Sequence, residues 1–145
     1  MASQAATLNT HGTVHTDNGV FSSTDHPYRI PFLNCFIDNV SLEEALSVIA
    51  DHVDSRIPGF MVSLNTDIAI RIDEDPGFAK VYDKADLALM DSQPMMRLAR
   101  LFHIPIKQKL SGSDLMPIVC ERSAREGWSC FFLGGAEGVP EQASK

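Results

Sequence analysis

Three polar side chains stand where a group-transfer reaction would need them. Asp91 closes the apolar run Asp86-Leu-Ala-Leu-Met90, Asn65 follows the run Phe60-Met-Val-Ser-Leu64, and Lys109 precedes Ser111-Gly112. A carboxylate at the mouth of a crevice behind a buried strand can be partly desolvated, which would suit it to take a proton. The amide of Asn65 can donate and accept toward a sugar or a base. A lysine beside a flexible turn can meet a diphosphate. Each residue also has a plainer use. Asp91 or Ser92 can cap the helix that follows, Asn65 is common turn chemistry, and most lysines at such positions are simply solvated. A fourth feature is Leu133-Gly134-Gly135-Ala136-Glu137-Gly138, where an apolar run meets glycines and a helix start in the manner of a phosphate-binding turn. Ala136 and Val139 occupy the second and third glycine positions of a G-x-G-x-x-G pattern, so a tight turn is the alternative.

The elements that must hold these residues alternate. Ile30–Asp38 has strand composition, with Pro31 at an edge or entry position. Ser41-Leu-Glu-Glu44 is a capping box opening a helix whose stripe is Leu42, Ala45, Leu46, Ile49 and Val53, ending near Arg56 before Pro58-Gly59. Phe60–Leu64 reads as a central strand covered on both faces. Asn65-Thr66-Asp67 can cap a segment over Ile68–Ile72, and Asp75-Pro76 starts another helix. Asp86–Met90 is a second buried strand, Gln93–Phe102 a helix with Pro94 in its first turn, and Ile104–Leu110 a mixed stretch. A helix follows from Ser111-Gly112-Ser113-Asp114 to Glu126, with Pro117 in the first turn and Gly127 as its stop. Trp128–Leu133 reads as a third apolar strand and Glu137–Lys145 as a helix start. This alternation predicts an α/β domain over residues 30–145, Rossmann-like, with a mostly parallel sheet flanked by helices. Ligands of such sheets bind outside the carboxyl ends of the strands, where Asn65 and Asp91 would face one another.

Residues 1–29, rich in Ser, Thr, Asn and His, are expected to form a disordered tail. His11 and His15 stand four apart, but no helix signal supports them as metal ligands. Twelve basic against nineteen acidic residues give a net charge of -7, which disfavours a nucleic-acid partner yet permits an anionic substrate in a cation-lined cleft. Cys35, Cys120 and Cys130 are odd in number and lack C-x-x-C spacing, so reduced thiols are expected rather than a metal site or a disulfide framework. No apolar run reaches the roughly 18 residues needed to span a bilayer, and no signal peptide is evident, so the cytoplasm is the expected compartment.

Together, in order and spacing, these motifs resemble the WecG/TagA/CpsF glycosyltransferases (glycosyltransferase family 26). The resemblance runs from about Leu33 to Lys145. Phe36-Ile37-Asp38 before the Ser41 helix matches the family's opening strand, and Ser63-Leu64-Asn65 its T-x-N-like motif. Leu89-Met90-Asp91 matches the strand that delivers its catalytic aspartate. Lys109-Leu-Ser-Gly112-Ser-Asp114-Leu115 matches an R-x-x-G-x-D-L motif, and Phe131-Phe132-Leu133-Gly134-Gly135 the closing double-glycine turn.

The resemblance implies transfer of a sugar from a UDP-sugar to an undecaprenyl-diphosphate-linked acceptor in cell-surface polysaccharide biosynthesis, with inversion and without an essential metal or other cofactor. It implies Asp91 as general base, Ser63 and Asn65 as positioning residues, Lys109 at the diphosphate, and Gly134-Gly135 as a substrate-binding turn. It also implies a cytoplasmic enzyme, peripheral at the inner face of the membrane. Two departures stand out: Asp91-Ser92-Gln93-Pro94 replaces the family's Asp-Gly-x-Gly, and Lys109 replaces its Arg, a point charge for a bidentate fork. The family's second half is not matched, so the chain is expected to be C-terminally truncated, with part of the nucleotide pocket missing. Exposed apolar surface where that half should pack would favour a homo-oligomer. The rival readings are another nucleotide-using α/β enzyme, such as a dehydrogenase or methyltransferase, and an inactive truncated binding scaffold.

Overall fold

The computed structural model describes residues 14–16, 19–21 and 27–144. The chain divides into two compact units, one through Gly112 and one from Ser113. The expected disordered tail lies largely outside the described residues, as does His11. Within it, β1 (Val14–Thr16) pairs antiparallel with β2 (Gly19–Phe21).

In the first unit, the stretch expected to be one strand is a hairpin. β3 (Arg29–Phe32) pairs antiparallel with β4 (Cys35–Asp38) in the register Arg29↔Asp38 to Phe32↔Cys35. The two-residue turn places Leu33 at φ 53, a left-handed conformation that a leucine adopts only at a cost. Asn34 helps to hold that turn, its amide donating toward Asp73 Oδ1 at 3.4 Å. The helix α1 (Leu42–Ser55) opens as expected. Ser41 Oγ accepts from the Glu44 N–H, the Glu44 carboxylate accepts from the Ser41 N–H at 2.7 Å, and Arg56 closes the helix in the left-handed region.

β5 (Met61–Leu64) and β6 (Leu87–Met90) form a parallel pair in the register Met61↔Leu87 to Leu64↔Met90. All of β6 is buried, but β5 is buried only at Leu64. It pairs with β6 alone among the described residues, so it is not the fully covered central strand its apolar sequence suggests. Between the strands run α2 (Thr66–Glu74) and α3 (Pro76–Tyr82). The second has Pro76 at its first position and Asp75 Oδ1 accepting from the Gly77 and Phe78 amides. After β6 comes α4 (Gln93–Leu101). The fold is mixed α/β with one parallel pair, and each described sheet has two strands.

A single ion pair ties the hairpin to the parallel pair. Arg29 and Asp38 are joined in a bidentate contact at 3.1 Å, with side chains 8% and 3% exposed. Asp38 Oδ2 also accepts from the Ala88 N–H at 2.7 Å, and Arg29 donates to the Ala85 carbonyl at 2.8 Å. The desolvation cost of burying this pair is offset because both groups spend their remaining hydrogen bonds on the neighbouring strand and its approach. Beside it, Tyr82 Oη donates to the Phe36 carbonyl at 2.8 Å, closing the core among Phe32, Ile37, Leu64 and Met90.

In the second unit, α5 spans Gly112–Glu126 from the unit boundary and α6 spans Val139–Ala143. Pro117 lies inside α5 rather than in its first turn, because the helix starts at Gly112. The expected third strand, Trp128–Leu133, is not a strand. Its backbone turns back on α5, with the Trp128 N–H donating to the Ser123 carbonyl at 2.9 Å. This unit has no strand among its described residues to complete a ladder, and an unpaired apolar run cannot satisfy its backbone groups as a sheet.

Candidate functional site

The parallel register sets the site. Leu64 pairs with Met90, so the next residues, Asn65 and Asp91, emerge side by side from the C-terminal ends of β5 and β6. The Asp91 N–H donates to the Leu64 carbonyl at 2.9 Å, carrying the ladder one residue further. Both side chains are half-buried.

The two residues differ in what the helices demand of them. Asn65 caps α2: its Oδ1 accepts from the Ile68 N–H at 2.9 Å. That satisfies an orphan helix donor and leaves the two Nδ2 hydrogens for another partner. Asp91 does not cap α4. That role falls to Ser92, whose Oγ accepts from the Met95 N–H at 3.4 Å. Among the described residues, no hydrogen bond or ion pair engages the Asp91 carboxylate.

The segment from Pro105 to Gly112 closes this end of the sheet. Asn39, just past β4, clamps it: Nδ2 donates to the Pro105 carbonyl at 2.6 Å and Oδ1 accepts from the Lys107 N–H at 2.7 Å. The Leu110 N–H then donates to the Met90 carbonyl at 2.8 Å, which brings Lys109, Leu110 and Ser111 beside Asp91. Gly112 follows so closely that a Cβ there would lie 3.4 Å from Ser63 Oγ. Ser63, Asn65, Asp91 and Lys109 therefore belong to one end of the β5–β6 pair.

The two lysines of this segment separate in role. Lys107 Nζ lies 2.7 Å from Glu44, and that contact, with the Ser41 N–H, holds the Glu44 carboxyl below its ordinary value. Lys109, two residues on, is half-buried at the β6 end. Sequence reading missed Asn39 as the clamp, although an amide between a strand end and a capping box is a usable signal. It also left the cap of α4 open between Asp91 and Ser92.

Gly134 and Gly135 lie in the second unit, exposed, at φ 106 and 80. No strand precedes them, and the helix after them, α6, is five residues long and has no side-chain cap. The strand-turn-helix expected of a phosphate cradle is thus not formed here.

A groove of about 400 Å³ opens at the opposite ends of β5 and β6, between α1 and the Ile57–Met61 segment. Two of its polar groups are engaged, Asp86 Oδ2 with the Phe60 N–H at 2.8 Å and His52 Nδ1 with the Ile57 carbonyl at 3.1 Å. Among the described residues no three metal-ligating side chains gather, and no helix is long and apolar enough to cross a membrane.

The family model described as "Glycosyl transferase WecG/TagA/CpsF family" matches residues 30–145, and the chain belongs to that family. Membership implies glycosyl transfer in cell-surface polysaccharide synthesis.

Proposed function

We propose that this family member moves a sugar from a UDP-sugar to a lipid-diphosphate-linked acceptor, inverting the anomeric centre, with Asp91 as general base. The observation that carries the reading is the division of labour at the β6 end. Ser92 caps α4, so the Asp91 carboxylate, half-buried and beside Asn65, is left to accept a proton.

The acceptor hydroxyl oxygen attacks the anomeric carbon as its proton passes to Asp91. The bond between that carbon and the UDP oxygen breaks, and UDP leaves with one more negative charge. In-line attack from the face opposite the leaving group gives inversion. Asn65 Nδ2 is the donor that orients a sugar, with Ser63 Oγ beside it. Lys109 faces the charge developing on the diphosphate. No metal is required in this scheme, since a fixed cation does the leaving-group work.

The same reading extends β5–β6 as the parallel centre of a Rossmann-like sheet and places the enzyme at the cytoplasmic membrane face, where the lipid-linked acceptor is presented.

Two measurements test it together. Calorimetric titration should show heat with UDP and none with a nicotinamide cofactor or S-adenosylmethionine. UDP release from a UDP-sugar should depend on a lipid-diphosphate acceptor, and the product linkage should be inverted. Binding of either other cofactor in place of UDP, or a retained configuration, contradicts the proposal.

A further inference from the structure

The charges of this chain are unevenly placed. Residues 93–109 hold four of its twelve Lys and Arg and none of its nineteen Asp and Glu. They form α4 and the segment that returns to Leu110. Two of the four cations already have a place: Lys107 pairs with Glu44, and Lys109 belongs to the β6 end. Arg97 and Arg100 remain, both exposed. Among the described residues no hydrogen bond, ion pair or ring contact engages either guanidinium.

Helical spacing explains their position. Met95, Met96 and Ala99 are buried, which fixes the inward face of α4. Arg97, Arg100 and Leu101, at i, i+3 and i+4, therefore share the outward one. An amphipathic helix ordinarily gives that face to polar residues. Here Leu101 is 70% exposed, and Phe102, which caps the end of the helix, is 57% exposed. Neither reaches the core, because the chain turns inward only after them. His103 makes that turn at φ 56, a conformation cheapest for glycine, and the Ile104 N–H closes the helix on the Ala99 carbonyl at 2.9 Å. Ile104 and Ile106 then pack against the core. Two arginines, a leucine, a phenylalanine and a histidine are left on one exposed corner of the first unit.

We propose that this corner, Arg97, Arg100, Leu101, Phe102 and His103, docks the chain on an anionic phospholipid surface. The apolar pair enters the headgroup layer while the guanidiniums meet lipid phosphates, the division of labour of helices that lie in the interface. Charge complementarity sets the orientation. A chain of net charge -7 is repelled by such a surface except where its cations gather without carboxylates. Leu101 and Phe102 favour a bilayer over a nucleic acid, whose phosphates offer them nothing. The choice of a membrane rests on the reading above, in which the acceptor is lipid-linked. One helix length, about 14 Å for nine residues, separates the corner from Asp91.

Sedimentation of the full chain with vesicles of phosphatidylglycerol and phosphatidylcholine tests the proposal. The chain should pellet with the mixed vesicles at low salt, stay in solution with pure phosphatidylcholine, and be released as salt rises. Each arginine near such a surface is worth about fivefold in partitioning, so Arg97→Gln with Arg100→Gln should weaken binding about 25-fold. Leu101→Ser with Phe102→Ser should weaken it at least about tenfold. Both double variants should keep the parent's unfolding midpoint and its heat of UDP binding. Hydrogen exchange over residues 97–104 should slow on the mixed vesicles.

Vesicle binding and UDP binding are read separately. Binding of vesicles without UDP upholds the docking corner and removes the transferase reading, whereas binding of UDP without vesicles overturns the docking corner alone. Equal binding to neutral vesicles, or binding that both double variants retain, would also overturn it. A dimer formed without vesicles and dissolved by Leu101→Ser with Phe102→Ser would assign the corner to a second copy instead.

Discussion

The amide of Asp91 donates to the carbonyl of Leu64 at 2.9 Å, and that one bond makes Asn65 and Asp91 neighbours at the C-terminal ends of two parallel strands. A single residue of register slip would put the two side chains on opposite faces of the pair. The site therefore depends on the β5–β6 ladder as much as on the identity of its residues.

Because Ser92 rather than Asp91 caps α4, stability and activity should separate at adjacent positions. Ser92→Ala removes the acceptor for the Met95 N–H and should cost about 1 kcal/mol, with sugar transfer nearly intact. Urea unfolding and UDP release measured on the same preparation check this. A transfer rate that falls with Ser92→Ala as far as with a change at Asp91 would contradict it.

Asn65 carries two roles on two atoms. Asn65→Asp keeps an acceptor for the Ile68 N–H but removes the amide donors, so the unfolding midpoint should barely move while turnover falls about tenfold, the worth of one lost hydrogen bond. Asn65→Ala removes both roles and should lose stability as well. Equal turnover in the Asp variant and the parent would restrict Asn65 to capping.

The Arg29–Asp38 pair joins the β3–β4 hairpin to the approach and first residues of β6. Asp38→Ala leaves a buried guanidinium and the Ala88 N–H without their acceptor, and should cost about 3–5 kcal/mol by denaturant unfolding. Replacing both residues by apolar ones of similar volume should recover much of that loss. A cost below about 1 kcal/mol for the single change would mean that the pair contributes little.

Glu44 gives the protein an acid-sensitive element. Its carboxyl is held below the ordinary value first by the Lys107 contact and then by the Ser41 N–H. A folded-state value below the unfolded one means that the unfolded chain binds more protons in the acid range. The contribution is whole above the unfolded value and is lost as pH falls through the lowered folded one. Thermal unfolding of the parent and Glu44→Gln from neutral pH downward should show two midpoints that converge in that window. Curves that stay parallel through it would contradict the linkage.

What the sequence revealed was local. The Ser41/Glu44 box, the Asp75-Pro76 start and the apolar runs ending at Asn65 and Asp91 rest on neighbours within a turn or a strand, and each stands where patterning puts it. What it hid was long-range. Nothing near Leu33-Asn34 signals a hairpin, since neither residue is the glycine a left-handed turn prefers. Arg29 falls at the end of the stretch expected as a tail, because its partners, Asp38 and Ala85, lie nine and fifty-six residues away. Trp128–Leu133 has the composition of a strand, but composition supplies no ladder partner.

The central claim is that Asp91 takes the acceptor's proton, and Asp91→Asn tests it most directly. The substitution preserves shape and removes the base. UDP release with a lipid-diphosphate acceptor should fall by about 10²–10⁴-fold while the unfolding midpoint and UDP affinity stay near those of the parent. Turnover in Asp91→Asn equal to the parent's, with the fold intact, would contradict the account.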